Sequence, residues 1–325
     1  MKKTVIILAL FIIGVFLLES GDTIQDKLEK FGEENGKGYI QPLVTAFGSN
    51  LNSGLFNTAK VLKPFRFGIM FNGQLCFFPE EAETFMARPL ELYVQNTDVP
   101  IYKDEEVETA TVFGKKGGSF TLNDELGNYE IDTAQFVLDL PNGAQNKDEL
   151  PFIPLAIPQI NFGLPYGNEL MLRYLPPVEF DKQMGKLTFW GFGLKHSIDQ
   201  YLPGVIPVDL AVQIALQQFK LADIMKVNAF AMNAQISKKL AMFTFYGGLG
   251  YESTTLNAKY ETEVMVINDA NEVVPEIWNI DFDIKGENDV RATIGFRYSI
   301  LVLKLFADYS ICKYPVANFG FGLSF

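Results

Sequence analysis

Cysteine and histidine are scarce in this chain of 325 residues, which has two cysteines and one histidine. Two cysteines in a chain of this length do not build a disulfide scaffold. Because structural zinc sites use clusters of cysteine and histidine, the sequence predicts no such metal site, and it predicts no cofactor. The formal net charge is −12, and an acidic chain is a poor partner for the phosphate backbone of a nucleic acid.

A catalytic triad built on histidine would have to use His196, the one histidine of the sequence. This residue lies near the end of an alternating segment, on the same face as Trp190 and Phe192. Ser197 and Asp199 are close in sequence, but neighbours along a strand point in opposite directions. We therefore expect His196 at the rim of a strand and predict that the protein is not an enzyme.

Long apolar runs are absent after the N-terminus, so no helix there could span a bilayer, which takes about 20 apolar residues. The N-terminus itself has Lys2 and Lys3, an uncharged apolar run from Thr4 to Leu18, and small residues around Ser20. This order is typical of a secretory signal peptide over residues 1–20, with an uncleaved anchor as the alternative. The signal peptide predicts that the rest of the chain is exported.

The sequence is rich in short segments in which apolar and polar residues alternate. In one of them Val212, Ile214 and Leu216 alternate with Gln213 and Gln217. Several segments last about 10–13 residues, which is long for a soluble strand and matches the about 9–11 that a membrane strand needs. Full charges lie on the polar faces and almost none on the apolar faces. This is the pattern of a transmembrane barrel, apolar outside and polar inside, and it disfavours a soluble β-sandwich.

The polar faces predict which side chains line the interior of the barrel. Such side chains either pair with one another or border a path for a solute. The predicted interior residues are Arg66, Asn72, Gln74, Arg173, Asp209, Gln213, Gln217, Lys259, Glu261, Arg291, Arg297, Lys304 and Asp308.

The last segment, NFGFGLSF, alternates apolar residues with small or polar ones. Its pattern of Asn318, Gly320, Leu323 and Phe325 resembles the C-terminal assembly signal of bacterial outer-membrane barrels. The resemblance implies the barrel assembly machinery as a partner and the lipid of a Gram-negative outer membrane as the surroundings. It also implies that Phe325 lies at the periplasmic side.

Strand parity predicts long connections outside the cell and short ones in the periplasm. Ile267 to Asn288 is expected to be a long acidic outer loop, and a short turn is expected near Ser253. Cys76 and Cys312 should end two strands that flank the last strand, roughly 10 Å apart, whereas a disulfide needs Cα atoms within about 7 Å. Both cysteines are therefore predicted to be free.

Residues 79–165 fit the alternating pattern poorly. Thr109–Phe113 and Thr133–Leu140 are candidate strands, while the prolines of PFIPLAIPQINFGLP break a regular ladder. Since bacterial barrels have even strand counts, the sequence predicts an all-β, antiparallel, up-and-down transmembrane barrel of about 12 strands, within a range of about 10–14.

Residues 21–60 precede the barrel, which is predicted over residues 61–325. Residues 21–38 have a weak helical spacing of apolar side chains, typical of a short helix or a periplasmic lead-in. Residues 39–60 are rich in glycine, asparagine and serine. They fit either a surface loop or a compact segment packed inside the barrel, so residues 21–60 are predicted to be a lead-in followed by a plug-like segment.

Several stretches resemble an uncharacterised outer-membrane barrel family found mainly in Bacteroidota. They are residues 38–60, Leu164–Pro176, and Gly191–Pro203 followed by Pro207–Ala211. This resemblance implies the barrel and assigns no activity. A more distant similarity to long-chain fatty-acid transporter barrels implies an N-terminal segment that blocks the lumen.

Two functions follow from these expectations. The first is a channel or transporter for small or hydrophobic solutes through a plugged lumen. The alternative is a non-transporting surface barrel whose extracellular loops bind a partner or scaffold a complex. The solute is not identified by the sequence.

Overall fold

The computed structural model describes the chain from residue 33 to residue 325 with several short gaps. The described ranges are 33–94, 97–129, 133–136, 138–143, 152–181, 185–202, 207–221, 225–267 and 273–325. The predicted signal peptide lies outside them. No helix in these ranges is long and apolar enough to cross a membrane.

One α-helix and thirteen β-strands make up the regular structure of the described ranges. The helix α1 spans Glu33–Leu51. The strands are β1 (Phe67–Phe77), β2 (Thr84–Ala87), β3 (Val107–Ala110), β4 (Phe152–Leu164), β5 (Asn168–Asp181), β6 (Gly185–Ser197), β7 (Asp209–Leu221), β8 (Met225–Leu240), β9 (Phe243–Ile267), β10 (Val273–Lys285), β11 (Val290–Ile300), β12 (Leu303–Ile311) and β13 (Val316–Ser324).

Ten antiparallel strands close into a ring. Hydrogen-bonded neighbours around it are β1, β4, β5, β6, β7, β8, β9, β11, β12 and β13, and β13 pairs again with β1. β10 is not a further member of the ring. It lies end to end with β11, because both strands pair with the same edge of β9 at different positions along it. The predicted antiparallel barrel is confirmed. Its ten strands are fewer than the expected count of about 12 and stand at the lower end of the predicted range.

β9 is one strand of 25 residues in a region where the sequence predicts two strands and a turn. Ser253, the expected position of that turn, lies inside β9. The stretch from Ile267 to Asn288 is mostly β10 rather than a long loop. Both expectations are wrong for one physical reason: β9 and β10 continue as a paired hairpin beyond the ring.

β4 runs through the proline-rich segment in which the sequence predicts a broken ladder. Pro154 and Pro158 are in register with Leu75 and Phe71 of β1. On the other side, β5 pairs with β4 only from Gln159 onward, so both prolines lie beside an open edge. A proline has no backbone N–H and is tolerated where that edge forms no ladder bond. The prediction of a broken ladder is therefore wrong.

The ring has two different ends. At the turn end, the two-residue turns Ala241–Met242 and Leu301–Val302 join neighbouring strands. Ala241 and Leu301 have φ of 53° and 50°, the left-handed region that tight hairpin turns use. β1 begins and β13 ends at this turn end. The opposite end is the cap end. The described part of residues 78–143, which we call the cap, packs against the ring there.

Toward the turn end the ring is apolar outside and polar inside. On β7, Val212, Ile214 and Leu216 are 43%, 50% and 52% exposed, while Gln213 and Gln217 are each 2% exposed. The other strands repeat this alternation with outward Phe71, Leu172, Trp190, Phe192, Met232, Phe245, Leu249, Ile294, Leu305 and Phe321. The predicted alternation, apolar outside and polar inside, is confirmed in this band.

Toward the cap end the alternation reverses. On β9, Leu256 and Ala258 point inward and are 1% exposed. Lys259 lies on the outer face and forms an exposed ion pair with Asp281 of β10 at 2.6 Å, and Glu261 is exposed as well. Lys259 and Glu261 thus lie outside the interior in which they were expected. This part of the wall buries its apolar face as a soluble sheet does.

The cap end is filled by an apolar core. Tyr39 and Ile40 of α1 are completely buried there, together with side chains of the cap and of the strand ends. β2 and β3 pair as a separate two-stranded sheet. The predicted strand Thr109–Phe113 overlaps β3, whereas the predicted strand Thr133–Leu140 begins instead with a 3-10 helix at Thr133–Phe136.

Replacing Ile294 by lysine tests whether the outward apolar band faces lipid. Ile294 lies on the outer face of β11 and is 70% exposed. A lysine near the middle of a bilayer costs about 2–4 kcal/mol, and we expect Ile294→Lys to lower the free energy of unfolding in phospholipid vesicles by that amount. Asn279→Lys, on the exposed face of β10, should change it by less than about 0.5 kcal/mol. Equal costs at the two sites would contradict the band.

Candidate functional site

The chain between α1 and β1 lies inside the ring. Helix α1 contacts β1, β4, β8, β9 and β10. The residues after it, 52–62 (the inner segment), hydrogen-bond with side chains from β4, β5, β6, β7, β8 and β11. Partners on six strands of one ring place this segment in the interior. Residues 39–60 are therefore not a surface loop.

Arg173 of β5 holds the end of α1 from one wall. Its Nη1 donates to the carbonyl of Leu51 at 2.9 Å, and its Nη2 donates to the carbonyl of Ser53 at 2.9 Å. Its Nε and Nη1 also donate to the side-chain oxygens of Gln159 at 2.8 Å and Gln217 at 3.0 Å. Arg173 is 1% exposed, and neutral oxygens take its hydrogen bonds, so dipoles stabilise this buried charge.

Arg291 of β11 holds the same helix end from another wall. Its Nε and Nη2 donate to the two carboxylate oxygens of Glu252 at 2.7 and 3.1 Å. Its Nη1 donates to the hydroxyl of Ser53 at 2.8 Å, and its Nη2 donates to the carbonyl of Ser49 at 2.8 Å. Glu252 is 2% exposed, so this is a buried bidentate ion pair that also binds the chain in the interior.

The last carbonyls of a helix have no N–H partner within the helix, and they carry the negative end of the helix dipole. Arg291 supplies a donor to Ser49, while Arg173 and the Nε2 of Gln217, at 2.7 Å, supply donors to Leu51. The other two carbonyls of the last turn accept from backbone N–H groups just beyond the helix. The two arginines therefore satisfy both the carbonyls and the dipole.

Arg173 and Arg291 reach the helix end from opposite sides of the barrel. β5 and β11 are separated by five steps in the ring of ten strands, whichever way the ring is followed. We call this pair the arginine clamp. The clamp links the β5 wall, the end of α1 and the β11 wall across the interior.

A second polar layer lies closer to the turn end. Lys195 of β6 and Glu169 of β5 form a buried ion pair at 2.8 Å, and Glu169 also accepts from the backbone N–H of Leu62 at 2.8 Å. The hydroxyls of Thr58 and Ser237 of β8 are 3.1 Å apart. These contacts fix the inner segment to the β5, β6 and β8 walls.

The opposite wall is different. Asn72 and Gln74 of β1, Asp308 of β12 and Asn318 of β13 form what we call the polar seam. Both side-chain polar atoms of Asn72 and of Gln74, and one oxygen each of Asp308 and Asn318, are buried without a hydrogen-bond partner among the described residues. Gly54 passes close by with φ of 62°, and a Cβ there would lie 2.8 Å from Asn318 Oδ1. The inner segment lies against these four side chains without a hydrogen bond to them, although Asn57 donates to the sulfur of Met70 elsewhere on β1 at 3.0 Å.

The residues that the sequence predicts for the interior differ in where they lie. Those that point inward and are at most 7% exposed are Asn72, Gln74, Arg173, Gln213, Gln217, Arg291 and Asp308. Asp209, Arg297 and Lys304 are partly buried, and Arg66 is exposed at the turn end. Lys259 and Glu261, as described above, lie outside.

Sequence reasoning missed several partners in this interior. Glu169 and Lys195 alternate with the outward-facing Leu170 and Leu194, so the same pattern that predicted the others could have identified them. The backbone carbonyls at the end of α1 carry no signal in the sequence, because any residue type supplies them.

Residues of the predicted assembly signal occupy both faces of β13. Asn318 is buried in the interior, whereas Leu323 and Phe325 are 41% and 45% exposed on the outer face. A Cβ at Gly320 would lie 2.4 Å from the carbonyl oxygen of Phe71 and 2.5 Å from the ring of Phe306, so close packing requires glycine there. The recognition of this strand by an assembly machinery stays a prediction.

His196 lies at the turn end, at the end of β6. Its Nδ1 is 2.8 Å from the side-chain oxygen of Asn168, and its Nε2 is 3.1 Å from the hydroxyl of Tyr201. The Ser197 hydroxyl instead donates to Asp199 at 2.9 Å. The histidine and serine are therefore held by separate partners rather than paired as nucleophile and base.

The two cysteines are free thiols, as the sequence predicts. The last strand, β13, lies between β1, which carries Cys76, and β12, which ends just before Cys312. The Sγ atoms of Cys76 and Cys312 lie 3.8 and 3.0 Å from the carbonyl oxygen of Tyr314. Burial raises the pKa of the Cys312 thiol, which keeps it protonated. Within the described ranges, no cluster of three or more His, Cys, Asp or Glu side chains could hold a metal ion.

Two tyrosines are buried at the cap end as neutral groups. Burial raises the pKa of Tyr39 and of Tyr314 well above the ordinary value. The hydroxyl of Tyr39 donates to the carbonyl of Asn142 in the cap at 3.2 Å. This bond ties α1 to the cap.

Comparison with protein families gives a match over residues 1–325 to the family of unknown function DUF6588. The chain belongs to this family. No curated protein matches it in sequence. The predicted membership in a family of unassigned activity is confirmed, while the source in Bacteroidota and the similarity to fatty-acid transporters stay predictions.

Solved structures with a related arrangement include several outer-membrane barrels. The outer-membrane protein OmpT of Vibrio cholerae has 8% identity and a TM-score of 0.26, covering 80% of this chain and 98% of its own. The outer membrane protease OmpT from Escherichia coli has 6% identity and a TM-score of 0.31, covering 82% and 100%. The transport unit of the autotransporter AIDA-I from Escherichia coli has 7% identity and a TM-score of 0.30, covering 88% and 99%. Similarity at this level carries no argument about function.

Replacing Arg291 by glutamine tests the clamp. The change leaves Glu252 as an unpaired buried charge, which costs about 3–5 kcal/mol, and we expect that loss in the free energy of unfolding in vesicles. Adding Glu252→Gln should recover part of it, because the buried charge is then gone. Arg88→Gln, which breaks an exposed pair with Glu106 in the cap, should have a much smaller effect. Equal effects of Arg291→Gln and Arg88→Gln would show that the clamp does not hold.

Proposed function

We propose that this protein is an outer-membrane barrel of a Gram-negative bacterium whose lumen is closed at rest by its own N-terminal segment and opens for a small solute. The outward apolar band on a closed ring supports the membrane location, because closed barrels satisfy every backbone group within lipid. We orient the turn end toward the periplasm, since outer-membrane barrels have their short turns there. The cap then lies at the cell surface.

The inner segment is the plug in this proposal. It is bonded to side chains on six strands, and the cap end beyond it is an apolar core. A ring of ten strands is also far narrower than the 16–18-stranded porins that leave an aqueous channel. A solute can therefore pass only when the segment moves.

The polar seam is the observation that carries the proposal. In an interior whose role is purely structural, buried polar atoms are paired, because each unpaired group costs about 1–3 kcal/mol. Here the β5, β7 and β11 walls bond to the chain inside the barrel, whereas the seam does not. The chain inside the barrel is thus bonded to the walls on either side of the seam, but not to the four side chains of the seam itself. We expect solute to pass along the seam, whose amides and carboxylate favour a small polar molecule.

The second candidate function is a non-transporting surface barrel whose cap binds a partner or scaffolds a complex. The cap has its own two-stranded sheet. Met86 and Tyr93 are 53% and 51% exposed on it, and exposed side chains of this kind can contribute to a protein interface. In this case the interior contacts would be structural throughout.

Planar-bilayer conductance separates the two functions. We expect the folded wild-type barrel to be closed, with rare stepwise openings. Arg173→Gln removes two bonds to the chain in the interior and should raise the open fraction about tenfold or more, since a tenfold change in an equilibrium needs only about 1.4 kcal/mol. Adding Asn72→Leu and Gln74→Leu should make the β1 side of the seam apolar and reduce the size of each step.

The control for this measurement is Arg88→Gln, which removes an arginine from the exposed surface of the cap and should leave the openings unchanged. Correct folding of each variant is verified by the faster gel migration of unboiled barrel. A folded Arg173→Gln barrel that stays silent would contradict transport and would favour the surface barrel.

A further inference from the structure

A cavity of about 320 Å³ lies at the turn end, between the inner segment and the wall. Side chains of the wall that line it come from β1, β4, β5, β6, β11, β12 and β13, and the inner segment contributes Phe56, Asn57, Thr58, Lys60, Val61 and Leu62, followed by Lys63. Small-molecule sites have volumes of about 300–1,000 Å³, so the cavity is large enough for a ligand. Lys63 and Arg66 at its rim are exposed, so a ligand can reach it from the turn end.

Cationic side chains dominate the charge of this cavity. Those that line it are Lys60, Lys63, Arg66, Lys195, Arg297 and Lys304. Lys195 is neutralised by Glu169 at 2.8 Å. The other five have no ion-pair partner among the residues that the structure describes. They form a positive cluster in a chain whose formal net charge is −12.

Elsewhere in the described interior the buried arginines have acceptors. Arg291 faces Glu252 at 2.7 Å, and Arg173 donates to carbonyl and amide oxygens. The five cations without an ion-pair partner give this cavity an excess of positive charge, which raises the local concentration of anions.

Arg297 shows where an anion would bind. Its Nη1 donates to the side-chain oxygen of Asn57 at 3.0 Å. Its Nε is buried and has no acceptor among the described residues. A buried N–H group without an acceptor is unfavourable, and an anionic oxygen beside it would remove that cost. Lys304, which lines the same cavity, uses one of its three donors on the carbonyl of Leu301.

We propose that this cavity binds a phosphate group. The planar fork of an arginine and the point charge of a lysine are the side chains that hold phosphate oxygens. Two sources present this group at the turn end: a dissolved phosphate, or the headgroup of an anionic phospholipid in the adjacent leaflet. The apolar side chains of Phe56, Val61 and Leu62 beside the cations can accommodate the rest of a larger ligand. This inference stands whether or not a solute crosses the barrel.

The binding test uses the full-length barrel, folded in a neutral detergent. One arm titrates inorganic phosphate and follows it by isothermal calorimetry. The other arm adds phosphatidylglycerol or phosphatidylcholine to the micelles and counts bound lipid by native mass spectrometry. Binding of inorganic phosphate assigns the dissolved source, and binding of phosphatidylglycerol in excess over phosphatidylcholine assigns the lipid headgroup. Binding of neither probe would overturn the proposal.

Paired variants test the site itself. Arg66→Gln/Lys304→Gln should weaken binding at least about tenfold, because it removes two of the charges that attract the anion. Lys116→Gln/Lys226→Gln removes the same charge from exposed positions away from the turn end and should bind as the wild type does. Equal weakening in both would reveal general charge attraction and overturn the site.

A further measurement keeps the proposal testable if the first variant does not fold. Charge-dominated binding weakens as salt is raised, because ions screen the attraction. The affinity of the wild-type barrel for the bound probe should therefore fall between about 50 and 200 mM salt. An affinity that does not change with salt would overturn the proposal.

Discussion

A buried arginine must find oxygens to bond, and here the end of a helix provides them. Arg173 and Arg291 could not remain buried inside the ring without acceptors, because an unpaired buried charge is too costly. The carbonyls at the end of α1 equally need donors. Each requirement satisfies the other, with Glu252 balancing one of the two charges. The position of the helix and the course of the inner segment depend on these hydrogen bonds.

The polarity of the wall differs between its two ends. In the band near the turn end the apolar residues face out and the interior is polar. Near the cap end Leu256 and Ala258 point inward and the interior becomes an apolar core. The chain therefore passes from an apolar environment around Tyr39 of α1 to a polar one around Ser53 of the inner segment. That change of polarity explains why the chain can begin as a helix packed in a core and continue as a segment bonded to charged side chains.

Alternation in the sequence was sufficient to predict the barrel, and most of the residues that it predicted for the interior do lie there, because the period of two is a local property. It failed at Lys259 and Glu261, since the pattern cannot tell which solvent faces a strand. Pro154 and Pro158 led to the wrong prediction for β4, because the effect of a proline depends on whether the neighbouring strand edge is paired. That pairing is a tertiary property. The contacts of the arginine clamp could not be predicted from sequence, because many of their acceptors are backbone carbonyls that the closure of the ring brings next to the arginines.

A designed disulfide tests directly whether the inner segment lies within the ring. The hydroxyl oxygens of Thr58 and Ser237 are 3.1 Å apart, so cysteines at both positions should lie within disulfide reach. With Cys76 and Cys312 replaced by alanine, Thr58→Cys/Ser237→Cys should form the disulfide in the folded barrel, as read by non-reducing mass spectrometry. Thr58→Cys/Ser253→Cys, which places the second cysteine on the outward face of β9, should stay reduced. A folded barrel in which the first pair stays reduced, or in which both pairs crosslink equally, would contradict the account.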